Sequence, residues 1–144
     1  MMGIRNLIDL FNSCIQTRNT KCTGLTFFVA SKTKTEINLT YKELYDLALE
    51  KTATILGSPL FSPGSTVVLY FDNHYESILW FWATVLSGGI PCLCPSLSKN
   101  NEQRRLTIDH LQNLFKGPVF LTTEALHGAF AGNASAQIVA VDQM

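Results

Sequence analysis

The chain has 144 residues, 47% of them apolar and 15% charged, and its eleven basic and eleven acidic side chains cancel. That composition fits one globular domain with a sizeable core and excludes a disordered chain. With no block of like charge, nothing steers the chain to nucleic acid or to an anionic membrane surface.

Residues 4–17 carry Ile4, Leu7, Ile8, Phe11 and Ile15 at helical spacing, with Arg5, Asp9 and Asn12 between them. The pattern predicts a short amphipathic helix that packs on the body as a clasp. Asp9 interrupts what would otherwise be the apolar core of a secretory signal, so the expected location is cytoplasmic. There, Cys14, Cys22, Cys92 and Cys94 are read as reduced thiols, not as disulfides or zinc ligands.

A polar bend over 18–24 leads to a strand at 25–30, a Lys-containing turn at 31–35 and a second short strand at 36–39, together a β-hairpin. Thr40-Tyr41-Lys42-Glu43 is a capping box, in which the Thr40 hydroxyl takes the amide of Glu43 and the Glu43 carboxylate reaches back. A helix therefore starts at Tyr41. Tyr41, Leu44, Tyr45, Leu47, Ala48, Ile55 and Leu56 form its apolar side, and Gly57-Ser58-Pro59 stops it.

Ser62-Pro63-Gly64-Ser65 reads as a turn before the densest apolar run of the chain. Val67–Phe71 is a strand, Asp72 or Asn73 caps a helix, and Ile78, Phe81, Trp82, Val85 and Leu86 give that helix its period. It is apolar around most of its circumference, with Glu76, Thr84 and Ser87 on a narrow polar strip, and so is expected to be buried. Gly88-Gly89 ends it, Gly88 or Gly89 taking the positive φ that closes the last turn, and a strand follows over 90–94. Gly88, Gly89 and Pro91 also break this uncharged stretch before the roughly 20 residues a membrane span needs.

Cap-forming residues at 98–102 open another helix, with Leu106, Ile108 (or Thr107), Leu111, Leu114 and Phe115 as its apolar positions and Gly117-Pro118 as its stop. Val119–Leu121 is a strand, Thr122 or Thr123 caps a short helix through Phe130, and 137–141 is a last strand. Strand and helix alternate from residue 66 onward. The expected fold class is α/β: a partial, mostly parallel sheet with crossover helices, preceded by an N-terminal helix and a β-hairpin. One domain spans 1–144, with the helix and hairpin in 1–39 and the α/β layer in 40–144.

None of the recurring catalytic patterns is complete: there is no phosphate loop ending in Lys-Ser/Thr, no G-x-G-x-x-G, no nucleophile elbow and no paired metal motif. His74 stands at the C-terminal end of the first parallel strand, where such sheets bind ligands. The plainer reading puts it in the exposed first turn of a helix capped by Asp72 or Asn73, with His110 and His127 on the surface or half-buried.

Leu39, Thr40, Tyr41, Glu43 and Leu44 resemble the first core motif of adenylate-forming enzymes, L-[ST]-Y-x-E-L. Leu86, Gly88, Gly89, Pro91 and Pro95 resemble the second, a helix end at a Gly pair followed by a Pro-containing strand. Pro63 and Gly64 resemble the lead-in to the strand between them. The sequence 72–91 looks most like fungal enzymes related to nonribosomal peptide synthetases. Ser65 departs from the usual Asp, and Pro95-Ser96 stands where Pro-Leu-Asp is common.

The resemblance implies part of the large N-terminal subdomain of an adenylation domain, with these residues in structural roles. In full-length relatives ATP and Mg²⁺ serve to form an acyl adenylate. The Ser/Thr/Gly-rich ATP loop, the ribose-binding acid and the catalytic lysine have no matching positions here, so no catalytic, cofactor-binding or metal residue is carried over. Three expectations follow: an inactive opening segment, one half of a split enzyme, or a non-catalytic interaction module. In each, a complementary chain or self-association through an exposed sheet edge would cover the surface left open.

Overall fold

The computed structural model describes residues 4–16, 24–29 and 35–142. The bend and turn expected around 18–23 and 31–34, and Cys22, lie outside them.

Helix α1 (Leu7–Gln16) is followed by strands β1 (Gly24–Val29) and β2 (Thr35–Thr40), which pair antiparallel with Leu25 opposite Leu39. The hairpin runs straight into α2 (Tyr41–Leu56). Then come β3 (Thr66–Tyr70), α3 (His74–Leu86), β4 (Ile90–Leu93), α4 (Asn101–Leu114), β5 (Val119–Thr123), a 3-10 helix over Glu124–Phe130 and β6 (Gln137–Val141). All three pairings in the second sheet are parallel, in the order β4-β3-β5-β6.

The period of two in the strands divides the core in half. Val67 and Leu69 of β3, Leu121 of β5 and Val141 of β6 join Leu44, Ala48, Leu79, Trp80 and Ala83 of α2 and α3 on one face. Val68 and Phe120 point the other way, toward Ile108 and Phe130, with Cys92 and Cys94 packed beside them. The result is three layers, helices on each side of a parallel sheet whose central strands β3 and β5 are buried.

Three details differ from the sequence reading. The polar strip of α3 is its most buried face: Glu76, Thr84 and Ser87 are 2%, 0% and 7% exposed. Each is satisfied within the helix. Glu76 Oε2 accepts from Trp80 Nε1 at 2.9 Å, Thr84 Oγ1 donates to the Trp80 carbonyl at 2.8 Å, and Ser87 Oγ donates to the Ala83 carbonyl at 2.7 Å. Burying the two hydroxyls is therefore cheap, while the bulky side chains Ile78, Phe81 and Trp82 stay half-exposed at the flank.

In α4, Ile108 is fully buried and Leu111 and Phe115 pack with it, a stripe at i, i+3 and i+7. Leu106 and Leu114, expected on that side, fall off the stripe and are 53% and 58% exposed. Leu56 of α2 is likewise exposed. Thr52 is buried in α2, its hydroxyl donating to the Ala48 carbonyl at 2.9 Å. Finally, Thr123 occupies the N-cap position of the 3-10 helix without making a side-chain cap bond. Thr122 instead donates its hydroxyl to the Tyr70 carbonyl at 2.8 Å and ties β5 to β3.

Candidate functional site

The positions singled out by the sequence motifs gather at two junctions. The first is the start of α2. Thr40 is extended (φ −68, ψ 158), its hydroxyl oxygen accepts from the Glu43 amide at 3.1 Å, and its own amide donates to Glu43 Oε2 at 2.7 Å. The capping box is thus complete, with the Thr40 hydroxyl also donating to the same carboxylate oxygen at 2.9 Å. These bonds, the Thr40 amide foremost and its hydroxyl next, hold the Glu43 carboxyl below its ordinary value. Leu44 is 1% exposed, and Leu39 and Tyr41 pack against the same core. The motif fixes where the hairpin ends and the helix begins.

The second junction joins residues far apart in the chain. Ser87 ends α3, Gly88 takes φ +81, its amide donates to the Val85 carbonyl at 3.0 Å, and the Gly89 amide donates to the Thr84 carbonyl at 2.9 Å. That is a Schellman close. Gly64, at φ +85 in the turn before β3, donates its amide to the Gly88 carbonyl at 2.8 Å, and the Ile90 amide reaches the Ser65 carbonyl at 2.9 Å. Gly89 has no room for a side chain, since a Cβ there would lie 2.9 Å from both Phe61 Cε2 and Thr84 Cγ2. Pro63-Gly64 and Gly88-Gly89 form one latch that sets β3 and β4 side by side. Leu86 packs on the core just before it, and Pro91 pairs with Val67 just after it. Pro95 stands apart, exposed beyond the end of β4.

This latch is at the N-terminal end of the parallel sheet. Ligands of such sheets bind at the opposite, C-terminal end. There, Asn73 caps α3 by accepting from the Glu76 amide at 2.8 Å, and His74 lies exposed in the first turn. His110 and His127 are exposed on two other elements, so the three histidines do not converge. Among the described residues no group of three His, Cys, Asp or Glu could hold a metal ion. Cys14, Cys92 and Cys94 are free thiols, and burial, with Cys92 adding to it, pushes the Cys94 thiol up to about 11. No helix among the described residues is long and apolar enough to cross a membrane.

An apolar groove of about 450 Å³ lies between α1, the hairpin, α2, α3 and β4, walled by Phe11, Tyr41, Leu44, Phe81 and Trp82. Two features escaped the sequence reading. Phe61 shares with Thr84 the contacts that leave no room for a side chain at Gly89, and the buried Glu76–Trp80 pair braces α3. A Glu four residues before a Trp was the visible signal for the pair.

No family model matches the sequence. Among curated proteins, an aspulvinone E synthetase of Aspergillus terreus is 34% identical over 107 residues, covering 74% of this chain and 12% of that protein. A nonribosomal peptide synthetase of Ascocoryne sarcoides is 33% identical over 94 residues, 65% of this chain and 10% of the other. A third, from Aspergillus terreus, is 28% identical over 141 residues, 98% of this chain and 15% of the other. The chain thus spans only a small part of these relatives' length.

Among solved structures, an adenylation domain of a keto acid-selecting peptide synthetase module, bound to keto acyl adenylate, superposes with a TM-score of 0.74 at 25% identity. The match covers 96% of this chain and 26% of that one. A fatty acid AMP ligase from Legionella pneumophila matches at a TM-score of 0.67 and 19% identity, over 92% of this chain and 23% of the other, a likeness of fold. With its motif residues at the two junctions just described, the chain is a homologue of the fungal nonribosomal peptide synthetases and related synthetases, built as part of an adenylation-domain fold.

Proposed function

We propose that this segment is the scaffold part of an adenylate-forming enzyme of fungal secondary metabolism, and that it forms no acyl adenylate by itself. One observation supports the reading above the others: the motif residues Thr40, Glu43, Gly64, Gly88 and Gly89 are engaged in a helix cap and a strand junction, the latter at the end of the sheet away from where ligands bind. In this reading the complete enzyme activates a carboxylic acid with ATP and Mg²⁺, and both bind residues outside this segment. Its location is the cytosol, in keeping with Cys14, Cys92 and Cys94 being free thiols.

ATP–pyrophosphate exchange with a panel of carboxylic acids tests the proposal, run on the 144-residue chain alone and with the complementary part of an adenylation domain supplied in trans. Silence alone and exchange in the mixture is the expected result, and it also identifies the chain as one half of a two-part enzyme. Exchange by the chain alone would refute the scaffold role. Silence in both would favour an interaction module.

A further inference from the structure

Helix α1 is anchored to the body chiefly by one side chain. Of its apolar positions only Phe11 is buried, with its ring centroid 4.1 Å from that of Trp82 on α3 and 5.6 Å from that of Tyr45 on α2. Ile8 and Ile15 are half-buried, while Ile4, Leu7 and Leu10 are exposed. The charges at its start serve the helix itself. Arg5 Nε and the Arg5 amide donate to Asp9 Oδ2 at 3.0 and 3.1 Å, and the Asp9 amide donates to Asn6 Oδ1 at 2.8 Å.

The seat of α1 is also loosely filled. Leu10, Phe11 and Cys14 wall the apolar groove of about 450 Å³ together with Phe81 and Trp82 of α3, so part of the inner face of α1 looks across a gap. Dispersion attraction falls steeply over such a gap, and those groups add little to the docking. The body is built differently. Helices α2 and α3 share Leu44, Ala48, Leu79 and Ala83, each 1% exposed or less, a core to which α1 adds Phe11 and, in part, Ile15. With ten residues, α1 is shorter than the roughly 12–15 that an isolated helix needs in water, so undocking and unwinding are one event.

We propose that α1 is a releasable clasp: it lifts from α2 and α3 as a unit while the rest of the chain stays folded, uncovering the aromatic pair Tyr45 and Trp82. The fold thereby has two states, and an aromatic surface is displayed in only one of them. The inference stands on packing alone and is independent of the scaffold reading above.

Native-state amide hydrogen exchange on the 144-residue chain tests this, read at residues 11–16 and over β3 and β5 from zero to about 1 M urea. The α1 amides are expected to be protected, but about a hundredfold or more less than those of β3 and β5, with rates flat in urea while the β3 and β5 rates climb. In Phe11→Ala the α1 amides should reach the free-peptide rate. The β3 and β5 amides should then speed up by no more than the factor by which α1 was protected, because only the docking is lost. Three results would each overturn the proposal: α1 amides that share the rate and urea response of β3 and β5, α1 amides already at the free-peptide rate in the parent, or a Phe11→Ala chain that loses protection throughout.

Discussion

Replacing Gly89 with Ala tests the latch most directly. The new methyl would sit 2.9 Å from Phe61 Cε2, 2.9 Å from Thr84 Cγ2 and 3.3 Å from Phe61 Cζ. Comfortable carbon–carbon contact begins near 3.5 Å, so two contacts are each short by roughly half an ångström. Thr84 has little freedom to move, being 0% exposed with its hydroxyl tied to the Trp80 carbonyl at 2.8 Å. Phe61 is half-exposed and yields more readily. Overpacking of this kind costs about 1–3 kcal/mol, and with one partner mobile the expected loss is about 2 kcal/mol. In urea that lowers the unfolding midpoint by about 1 M at an unchanged slope. Phe61→Leu in the same chain should restore part of the loss, giving a positive coupling in a double-mutant cycle. Gly88→Ala is the control: only the Pro63 side chain, at 3.8 Å, comes near, but φ is +81, so about 1 kcal/mol of backbone strain is expected without rescue by Phe61→Leu. A midpoint for Gly89→Ala within about 0.2 M of the parent would refute the argument.

The capping box predicts that Thr40→Ala costs about 1 kcal/mol in a denaturant melt. Because the Glu43 carboxyl is held low, its contribution is present above its ordinary value of 4.5 and is lost as pH falls through the lowered folded value. The acid limb of the stability curve should flatten in Thr40→Ala. For Cys94, raised from 9.0 to about 11, the sign is opposite: its contribution is complete below 9.0 and disappears as pH climbs toward 11, a loss that Cys94→Ala should remove. At pH 8 its thiolate fraction is about a thousandth, so iodoacetamide should label it about a hundredfold more slowly than an ordinary thiol, as read by mass spectrometry. Lys116 closes α4 at φ +55, a conformation that favours glycine, and Lys116→Gly should raise stability by about 1 kcal/mol in thermal or urea unfolding.

Local signals in the sequence carried the element order well, because caps and stops act over three or four residues. The start of α2 at Tyr41 followed from Thr40 and Glu43 alone, and the stop of α3 from Gly88. What the sequence hid was pairwise and long-range. Glu76, Thr84 and Ser87 read only as a narrow polar strip, because polarity was visible while their partners Trp80 and Ala83, one turn earlier or later, were not. Leu106 and Leu114 read as core because an apolar residue carries no mark of the side it faces. The contact between Gly64 and Gly88 joins turns that only the folded sheet brings together, and Phe61 gains its meaning from that contact. The motif residues were recognisable as a set, but which end of the sheet they occupy depended on strand direction.

The two tryptophans of the chain, both on α3, stand in different surroundings. Trp80 is 1% exposed, stacked on Phe71 at 6.3 Å, with Glu76 on its N–H and Lys51 Nζ 5.5 Å from its ring centroid. Trp82, two residues on, lies at the flank with Phe11 of α1 against it at 4.1 Å. Single-tryptophan variants would therefore turn the molecule into its own two-channel fluorimeter. Emission from Trp82 would follow the docking of α1, and emission from Trp80 the integrity of the sheet beneath it. A red shift in the first without the second would time the release of the clasp from a body that remains folded.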